Sequence, residues 1–182
     1  MSLNSDFYSN TKYFMQNRAI LTPSSINAKM GDFQLITEGN YASLLSKATS
    51  SDKIPGYFVK AMPNSINEYA LPTQQSDLFV MYTDQLNGCQ FIAYGPDRQH
   101  IVVEHNNFIS NPALYAERLR EVIAQKPEFL FYMSPGDTNN ILNHTYNKLQ
   151  GLNIVGRYSK AAGWSFYVRD RLDMPAGNVY LF

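Results

Sequence analysis

The feature that most constrains this fold is a series of short apolar runs separated by turn residues. The runs are rich in Val, Ile, Tyr and Phe, the residues that strands prefer. Aromatic residues make up 14 % of the chain and charged residues 16 %, which favours a β-rich or mixed protein over a helical bundle. The predicted strands are residues 56–60, 77–83, 89–94, 100–105, 129–133, 154–158, 164–169 and 179–182.

Helices are predicted at fewer places. Asn111 suits an N-cap and Pro112 the first helical position, so a helix is expected to begin there and to stop at Pro127. Residues 141–150 predict a second helix, and residues 30–46 predict a short strand followed by a helix. The expected fold class is therefore α+β, with mixed, largely antiparallel β-sheets flanked by helices.

The length of 182 residues suits one domain with a core of its own. Residues 1–30 are polar and predict an N-terminal arm, either partly disordered or part of the domain. Residues 31–182 are expected to form a single catalytic domain, because no linker divides them.

Composition excludes several classes of protein. Fifteen basic residues balance 15 acidic ones, which argues against nucleic-acid binding. No apolar run approaches the roughly 20 residues that span a bilayer, and the N-terminus lacks the pattern of a secretory signal. A single Cys excludes an intrachain disulfide, and with three His it cannot build a zinc-finger array.

One Cys and one His stand out in the two runs that flank the turn at residues 95–99. A hairpin centred on Asp97 would place Cys89 directly opposite His105, with Phe91 opposite Val103. Directly opposed Cβ atoms lie about 4.5–5.5 Å apart, close enough for a thiol and an imidazole to meet. The alternation of a strand would also put all four of these side chains on one face.

This pair has a chemical use. A free thiol has a pKa of about 8.5, and a neighbouring imidazole can take its proton and later deliver it to a leaving amine. We therefore expect the Cys89 thiol to ionise near neutrality beside His105, in a cleft open to solvent. Gly88 leaves room for a carbonyl group and lets backbone N–H groups stabilise an oxyanion.

The segment Leu86-Asn87-Gly88-Cys89, followed by His105, resembles the Leu-Ser-Gly-Cys motif of the bacterial toxin glutamine deamidases. These include the catalytic domain of cytotoxic necrotizing factor and the Burkholderia lethal factor. The resemblance covers roughly residues 76–107 and implies that Cys89 is the nucleophile and His105 the general base. It also implies that Thr83, six positions before the Cys, orients the imidazole; a backbone carbonyl is the alternative.

The resemblance further implies a β-sandwich flanked by helices. The implied activity converts a Gln side chain of a host protein to Glu, the target being a small GTPase or a translation factor. No cofactor or metal is required, and the implied protein is secreted or injected to act in the host cytosol. Asn87 departs from the motif by replacing its Ser, so the oxyanion site formed with Gly88 would differ in detail.

Two other interpretations fit the same residues. The Cys–His pair also suits a cysteine peptidase or a transglutaminase-like acyltransferase, which share the chemistry at sulfur. A lone Cys is also a common packing residue. In that case the chain is a non-catalytic binding or immunity module with a structural Cys89.

Overall fold

Strands dominate the architecture of the computed structural model, which describes residues 2–23, 25–26, 30–46, 51–73, 77, 79–172, 174 and 176–182. The strands are β1 Ile20–Leu21, β2 Met30–Glu38, β3 Tyr41–Leu45, β4 Ile54–Val59, β5 Ser65–Ala70, β6 Val80–Thr83, β7 Gln90–Gly95, β8 Val102–Asn107, β9 Phe129–Gly136, β10 Thr145–Asn147, β11 Leu152–Ser159, β12 Gly163–Asp170 and β13 Val179–Leu181. The α-helices are α1 Leu3–Ser9, α2 Thr11–Asn17 and α3 Ala113–Ala124. Leu78, part of a predicted strand, lies outside the described residues.

The strands form two sheets. One has eight strands in the order β1-β3-β2-β4-β6-β11-β12-β13, and the other has five in the order β10-β9-β7-β8-β5. Within the described part of the chain three neighbouring pairs are parallel, namely β1 with β3, β4 with β6 and β9 with β10, and the others are antiparallel. The predicted α+β class with largely antiparallel sheets is confirmed.

The two sheets pack face to face around an aromatic core. Phe166 of the larger sheet contacts Phe91 and Phe131 of the smaller one, with ring centroids 5.8 and 5.3 Å apart. Aromatic pairs at such distances are favourable beyond the apolar area that they bury. The space between the sheets is therefore closed by large side chains along much of its length.

Helices cover the two outer faces. Phe7 of α1 and Phe14 of α2 are buried in one cluster with Phe33 of the larger sheet. Val122 of α3 is buried in another cluster with Ile92 of the smaller sheet. The result is four layers, and the segment predicted as a polar arm contributes two helices to the first of them, each with one buried face.

Two predicted helices are wrong. Residues 30–46 form the hairpin of β2 and β3, because Gly39, at φ +58°, gives a tight turn between the paired residues Glu38 and Tyr41. In residues 141–150 a 3-10 helix, Ile141–Asn143, ends at His144 in the left-handed region. The next residues form β10, whose pairing with β9 overrides local helix propensity.

The hairpin of β7 and β8 has a different register from the predicted one. His105 pairs with Phe91 rather than with Cys89, which is a shift of two residues. The Asp97 carboxylate accepts hydrogen bonds from the amides of Gln99 and His100 at 2.6 and 2.8 Å. This turn keeps those two residues out of the ladder and lengthens the loop.

Candidate active site

Cys89 and His105 lie on the same inward face of the five-stranded sheet, but not directly opposite one another. Cys89 immediately precedes β7, and the observed register continued by one residue would place it beside Asn107. His105 then lies diagonally across, at the distance of about 7 Å that is usual for such neighbours. A register shift of two residues preserves the face, so the shared face was predicted correctly and the direct opposition was not.

His105 is fully buried between the sheets, with Phe91 and Asn67 as its neighbours on the adjacent strands. Neither ring nitrogen forms a hydrogen bond of regular geometry with any described residue. Burial lowers the pKa of His105 to about 4, although the backbone of Val59 favours the protonated ring. The imidazole is therefore a neutral base at physiological pH.

The Cys89 thiol does not have the environment that the sequence predicts. The residue is 5 % exposed and belongs to the apolar core between the sheets. Burial, together with the negative charge of Asp84, raises the pKa of Cys89 to about 11. The expectation of a thiol that ionises near neutrality in an open cleft is wrong for this arrangement, in which the resting thiol keeps its proton.

Thr83 lies on β6 and is buried, and its hydroxyl has a hydrogen-bond partner other than the imidazole. Its hydroxyl donates to the carbonyl of Ile154 at 3.4 Å. The group beside His105 is instead the backbone of Val59, the residue that pairs with Thr83 on β4. Of the two orienting groups considered from the sequence, the structure favours the backbone carbonyl.

Asp84, which directly follows β6, forms hydrogen bonds to the end of β4 and the residues after it, close to Cys89 and His105. Its amide donates to the carbonyl of Val59 at 3.1 Å, and its carboxylate accepts from the amide of Ala61 at 2.8 Å. Desolvation raises the pKa of Asp84 above the usual range. Asp84 therefore fixes the backbone that faces His105 and places a carboxylate near the thiol.

The turn before Cys89 is held by hydrogen bonds that occupy the predicted oxyanion group. Gly88 has φ +105°, a conformation that favours glycine. Its amide donates to the hydroxyl of Tyr146 at 2.9 Å. The amide of Gly88 is thus engaged within the protein, so its predicted role as an oxyanion donor requires this bond to be exchanged.

A cleft of about 640 Å³ opens beside the same turn, on the outer face of the five-stranded sheet. Asn87 and Gly88 line it, together with Tyr115 of α3 and Ser134 of β9. Cys89 is not among the lining residues, because its side chain points to the opposite face. Asn87 and Gly88 therefore lie between the cleft and the buried thiol.

Three residues of this site were missed in the sequence. Val59, Tyr115 and Tyr146 reach the site from β4, α3 and β10, and no local motif marks them. Tyr115 and Tyr146 bond to the Gly88–Cys89 turn across sequence separations of 27 and 57 residues. Only the pairing of strands and the packing of α3 bring them there.

Comparison with known proteins adds no family. No family model matches the chain, and a search of curated proteins finds no match either. The resemblance to glutamine deamidases therefore depends on the motif residues alone, and the roles of Cys89, His105 and Thr83 stay predictions.

The described residues give two further findings about ligands and membranes. They contain no group of three or more His, Cys, Asp or Glu side chains placed to hold a metal ion. None of the helices found among them has the length and apolar character needed to cross a bilayer.

Proposed function

We propose that this protein is a cysteine-dependent amidohydrolase that converts a glutamine side chain of a protein substrate to glutamate. The observation that carries the proposal is that Cys89 and the buried His105 lie on one inward face of the smaller sheet, with the backbone of Val59 beside His105. A nucleophile, a neutral base and a group that can orient this base are the parts that acyl chemistry at sulfur requires.

The protonation states support a general-base mechanism. The thiol of Cys89 is protonated and the imidazole of His105 is neutral. As sulfur attacks the carboxamide carbon, His105 accepts the thiol proton, and the carbonyl of Val59 holds the opposite ring N–H. The imidazolium then returns its proton to the nitrogen that leaves as ammonia.

The second half of the reaction uses the same base. His105, again neutral, takes a proton from a water molecule that attacks the thioester. The carbon–sulfur bond breaks, the glutamate carboxyl group is released, and the Cys89 thiol regains its proton. His105 is neutral again at the end of each half of the reaction, and the chemistry described uses no cofactor.

Substrate binding has to bring the pair closer. Proton transfer needs hydrogen-bond contact, and catalytic hydrogen bonds are often long before substrate binds. The turn at Gly88 is the segment that can shorten the separation, since it lies beside the cleft and directly precedes Cys89. We propose that the substrate protein docks at this end of the sandwich; by the motif resemblance, it is a host GTPase or translation factor met in the host cytosol.

One observation favours a second candidate, a non-catalytic binding module with a structural Cys. Cys89 is 5 % exposed within an apolar core, and burial raises its pKa to about 11. These are the properties of an inert, packing cysteine. This candidate predicts that the Cys89→Ser variant retains the function of the wild type.

Mass spectrometry of a host-cell lysate tests the proposal. Wild-type protein is expected to release ammonia and to raise the mass of particular Gln-containing peptides by about one dalton, the difference between an amide and an acid. Cys89→Ser, which keeps the size of the side chain, is the matched control and is expected to do neither.

Other products would reassign the chemistry. New peptide termini would identify a peptidase, and cross-linked peptides would identify an acyltransferase. Identical lysates after treatment with wild type and Cys89→Ser would contradict an enzymatic role for the thiol and favour the binding module.

A further inference from the structure

Two tyrosine hydroxyls hold the backbone around Cys89. The Tyr146 hydroxyl accepts a hydrogen bond from the Gly88 amide at 2.9 Å and donates one to the Cys89 carbonyl at 2.6 Å. The Tyr115 hydroxyl donates to the Gly88 carbonyl at 2.6 Å and accepts from the Phe108 amide at 2.9 Å. We call Tyr115 and Tyr146 together the tyrosine clamp.

The two tyrosines of the clamp reach the turn from two separate secondary-structure elements. Tyr115 belongs to α3 and is 7 % exposed, whereas Tyr146 belongs to β10 and is fully buried. Hydrogen bonds in such surroundings are shielded from competition with water. Release of either hydroxyl would leave buried backbone groups of the turn without a partner, which is costly.

The direction of the thiol depends on this turn. The Cα–Cβ bond of Cys89 follows the backbone dihedral angles of Gly88 and Cys89, and Gly88 has a conformational freedom that other residues lack. The clamp restricts this freedom while its hydrogen bonds are formed, because it holds the amide and carbonyl of Gly88 and the carbonyl of Cys89. The side chain is thereby directed to the inward face that it shares with His105.

We propose that Tyr115 and Tyr146 are positioning residues that fix the direction of the Cys89 thiol toward His105. Tyr146 has the larger effect because it bonds to both residues of the turn, whereas Tyr115 bonds to Gly88 and to Phe108. The catalytic part of this inference rests on the proposed function. The structural part, the direction of the thiol, does not.

Alkylation of Cys89 by iodoacetamide measures the direction of the thiol without any substrate. Tyr146→Phe keeps the ring and removes both hydrogen bonds of its hydroxyl, so the turn is expected to open toward solvent. Two hydrogen bonds are lost, so we expect the alkylation rate at fixed pH to rise at least about tenfold, the factor that one lost hydrogen bond of ordinary strength allows. Tyr115→Phe is expected to raise this rate by a smaller factor.

Tyr158→Phe is the matched control. Tyr158 is 3 % exposed, and its hydroxyl donates to Gln99 at 2.6 Å in the loop at the other end of β7. This variant also loses one buried hydroxyl, but not at the turn, so we expect the wild-type alkylation rate. A rise in Tyr158→Phe equal to that in Tyr146→Phe would mean general loosening of the fold and would overturn the proposal.

The kinetics of ammonia release separate a positioning role from a merely structural one. With a Gln-containing peptide identified in the lysate experiment as the substrate, Tyr146→Phe is expected to lower kcat about tenfold with little change in KM, because a misdirected nucleophile affects the chemical step. Faster alkylation together with slower ammonia release would support the clamp. An alkylation rate in Tyr146→Phe equal to that of the wild type would overturn it.

Failure of the proposed function would give a different result. Wild-type protein that releases no ammonia from any lysate protein would contradict the amidohydrolase, while the alkylation rates would still decide whether the clamp directs the thiol. If Tyr146→Phe does not fold, as judged by near-ultraviolet circular dichroism, Tyr115→Phe decides the same question.

Discussion

Glu104 and His105 are neighbours on β8, both fully buried, and they face opposite sides of the same sheet. Under α3, the Glu104 carboxylate accepts hydrogen bonds from Arg118 at 2.5 and 3.1 Å and from Asn106 at 2.9 Å. Between the sheets, the His105 ring nitrogens form no regular hydrogen bond with a described residue. One face buries a charge with several regular hydrogen bonds, and the other buries a neutral base whose polar neighbour is the backbone of Val59.

The difference indicates where the fold holds polar groups for stability and where it holds them for another reason. A buried carboxylate paired with a guanidinium contributes to a unique packing of α3 on the sheet. A buried imidazole without a regular hydrogen bond to any described residue has a cost that the backbone of Val59 offsets only in part. Such groups are rare enough in folded proteins to require an explanation, and a catalytic role is one.

The largest expected effect is on the rate of ammonia release, which should depend on His105 but not on Glu104. His105→Leu should lower the rate of ammonia release by more than about 100-fold, the usual contribution of a general base. Glu104→Gln should leave the rate per folded molecule unchanged, since Glu104 faces away from Cys89. Equal losses of rate in the two variants would contradict this contrast, because both residues would then affect the rate only by maintaining the folded structure.

The free energy of unfolding should fall more when Glu104 is replaced than when His105 is replaced. Glu104→Leu removes the buried partner of Arg118, which keeps Glu68 and Glu121, and should lower the free energy of unfolding by about 2–3 kcal/mol, the range for lost hydrogen bonds to a charged group. His105→Leu replaces a polar group that lacks a regular hydrogen bond to a described residue by an apolar one of similar size, and should cost less than about 1.5 kcal/mol. Urea unfolding measures both, and a larger loss for His105→Leu than for Glu104→Leu would contradict the contrast.

The pH dependence of the free energy of unfolding tests whether His105 is buried in its neutral form. Its folded pKa is about 4, against a usual value of 6.5. Between these values the unfolded chain binds a proton that the folded protein does not, so stability is full above pH 6.5 and falls as the pH drops toward 4. This histidine should account for a loss of about 2–3 kcal/mol across that window.

Unfolding of wild type and His105→Leu at several pH values between 7 and 4 checks this loss, because titration of the carboxyl groups is common to both proteins. His100→Gln, at an exposed histidine, is the control variant. Parallel stability profiles for wild type and His105→Leu would show that His105 is not buried in its neutral form.

The smallest expected effect concerns Asp84, which raises the pKa of the Cys89 thiol less than burial does. Asp84→Asn removes the charge and keeps an oxygen that can accept from the Ala61 amide. The pH midpoint of alkylation should therefore fall from about 11 but stay above the free-thiol value, because burial remains. An unchanged or higher midpoint would contradict the assigned influence of Asp84.

Local patterns predicted much of the fold. The strand-like runs around β4, β7, β9, β11 and β12 follow from apolar alternation, and the helix near Pro112 from its apolar spacing and that proline. The predicted cap is shifted by one residue, because Pro112 rather than Asn111 is the N-cap and no described side chain caps the helix. The helices predicted in residues 30–46 and 141–150 are wrong for different reasons. Gly39 made a hairpin turn that the apolar spacing concealed, and β10 depends on pairing with a strand that precedes it in the chain.

The candidate site was predicted only in part. A strand period of two residues sends Cys89 and His105 to one face in any register shifted by an even number, so the shared face could be predicted. The register itself depends on the turn at Asp97. Its carboxylate accepts hydrogen bonds from two backbone amides of the turn, and the loop length used for the prediction does not indicate them. The tyrosine clamp was beyond prediction, because nothing in the sequence distinguishes Tyr115 and Tyr146 among 13 tyrosines.

The sequence by itself therefore determined which side chains alternate inward and which residue types are available for chemistry, since both depend on covalent order and backbone geometry. The tertiary structure decided how deeply the pair is buried, which backbone group lies beside His105, and that the thiol is protonated while the imidazole is neutral. Burial and pKa depend on what the second sheet and α3 place around a group, and those surroundings come from residues far away along the chain.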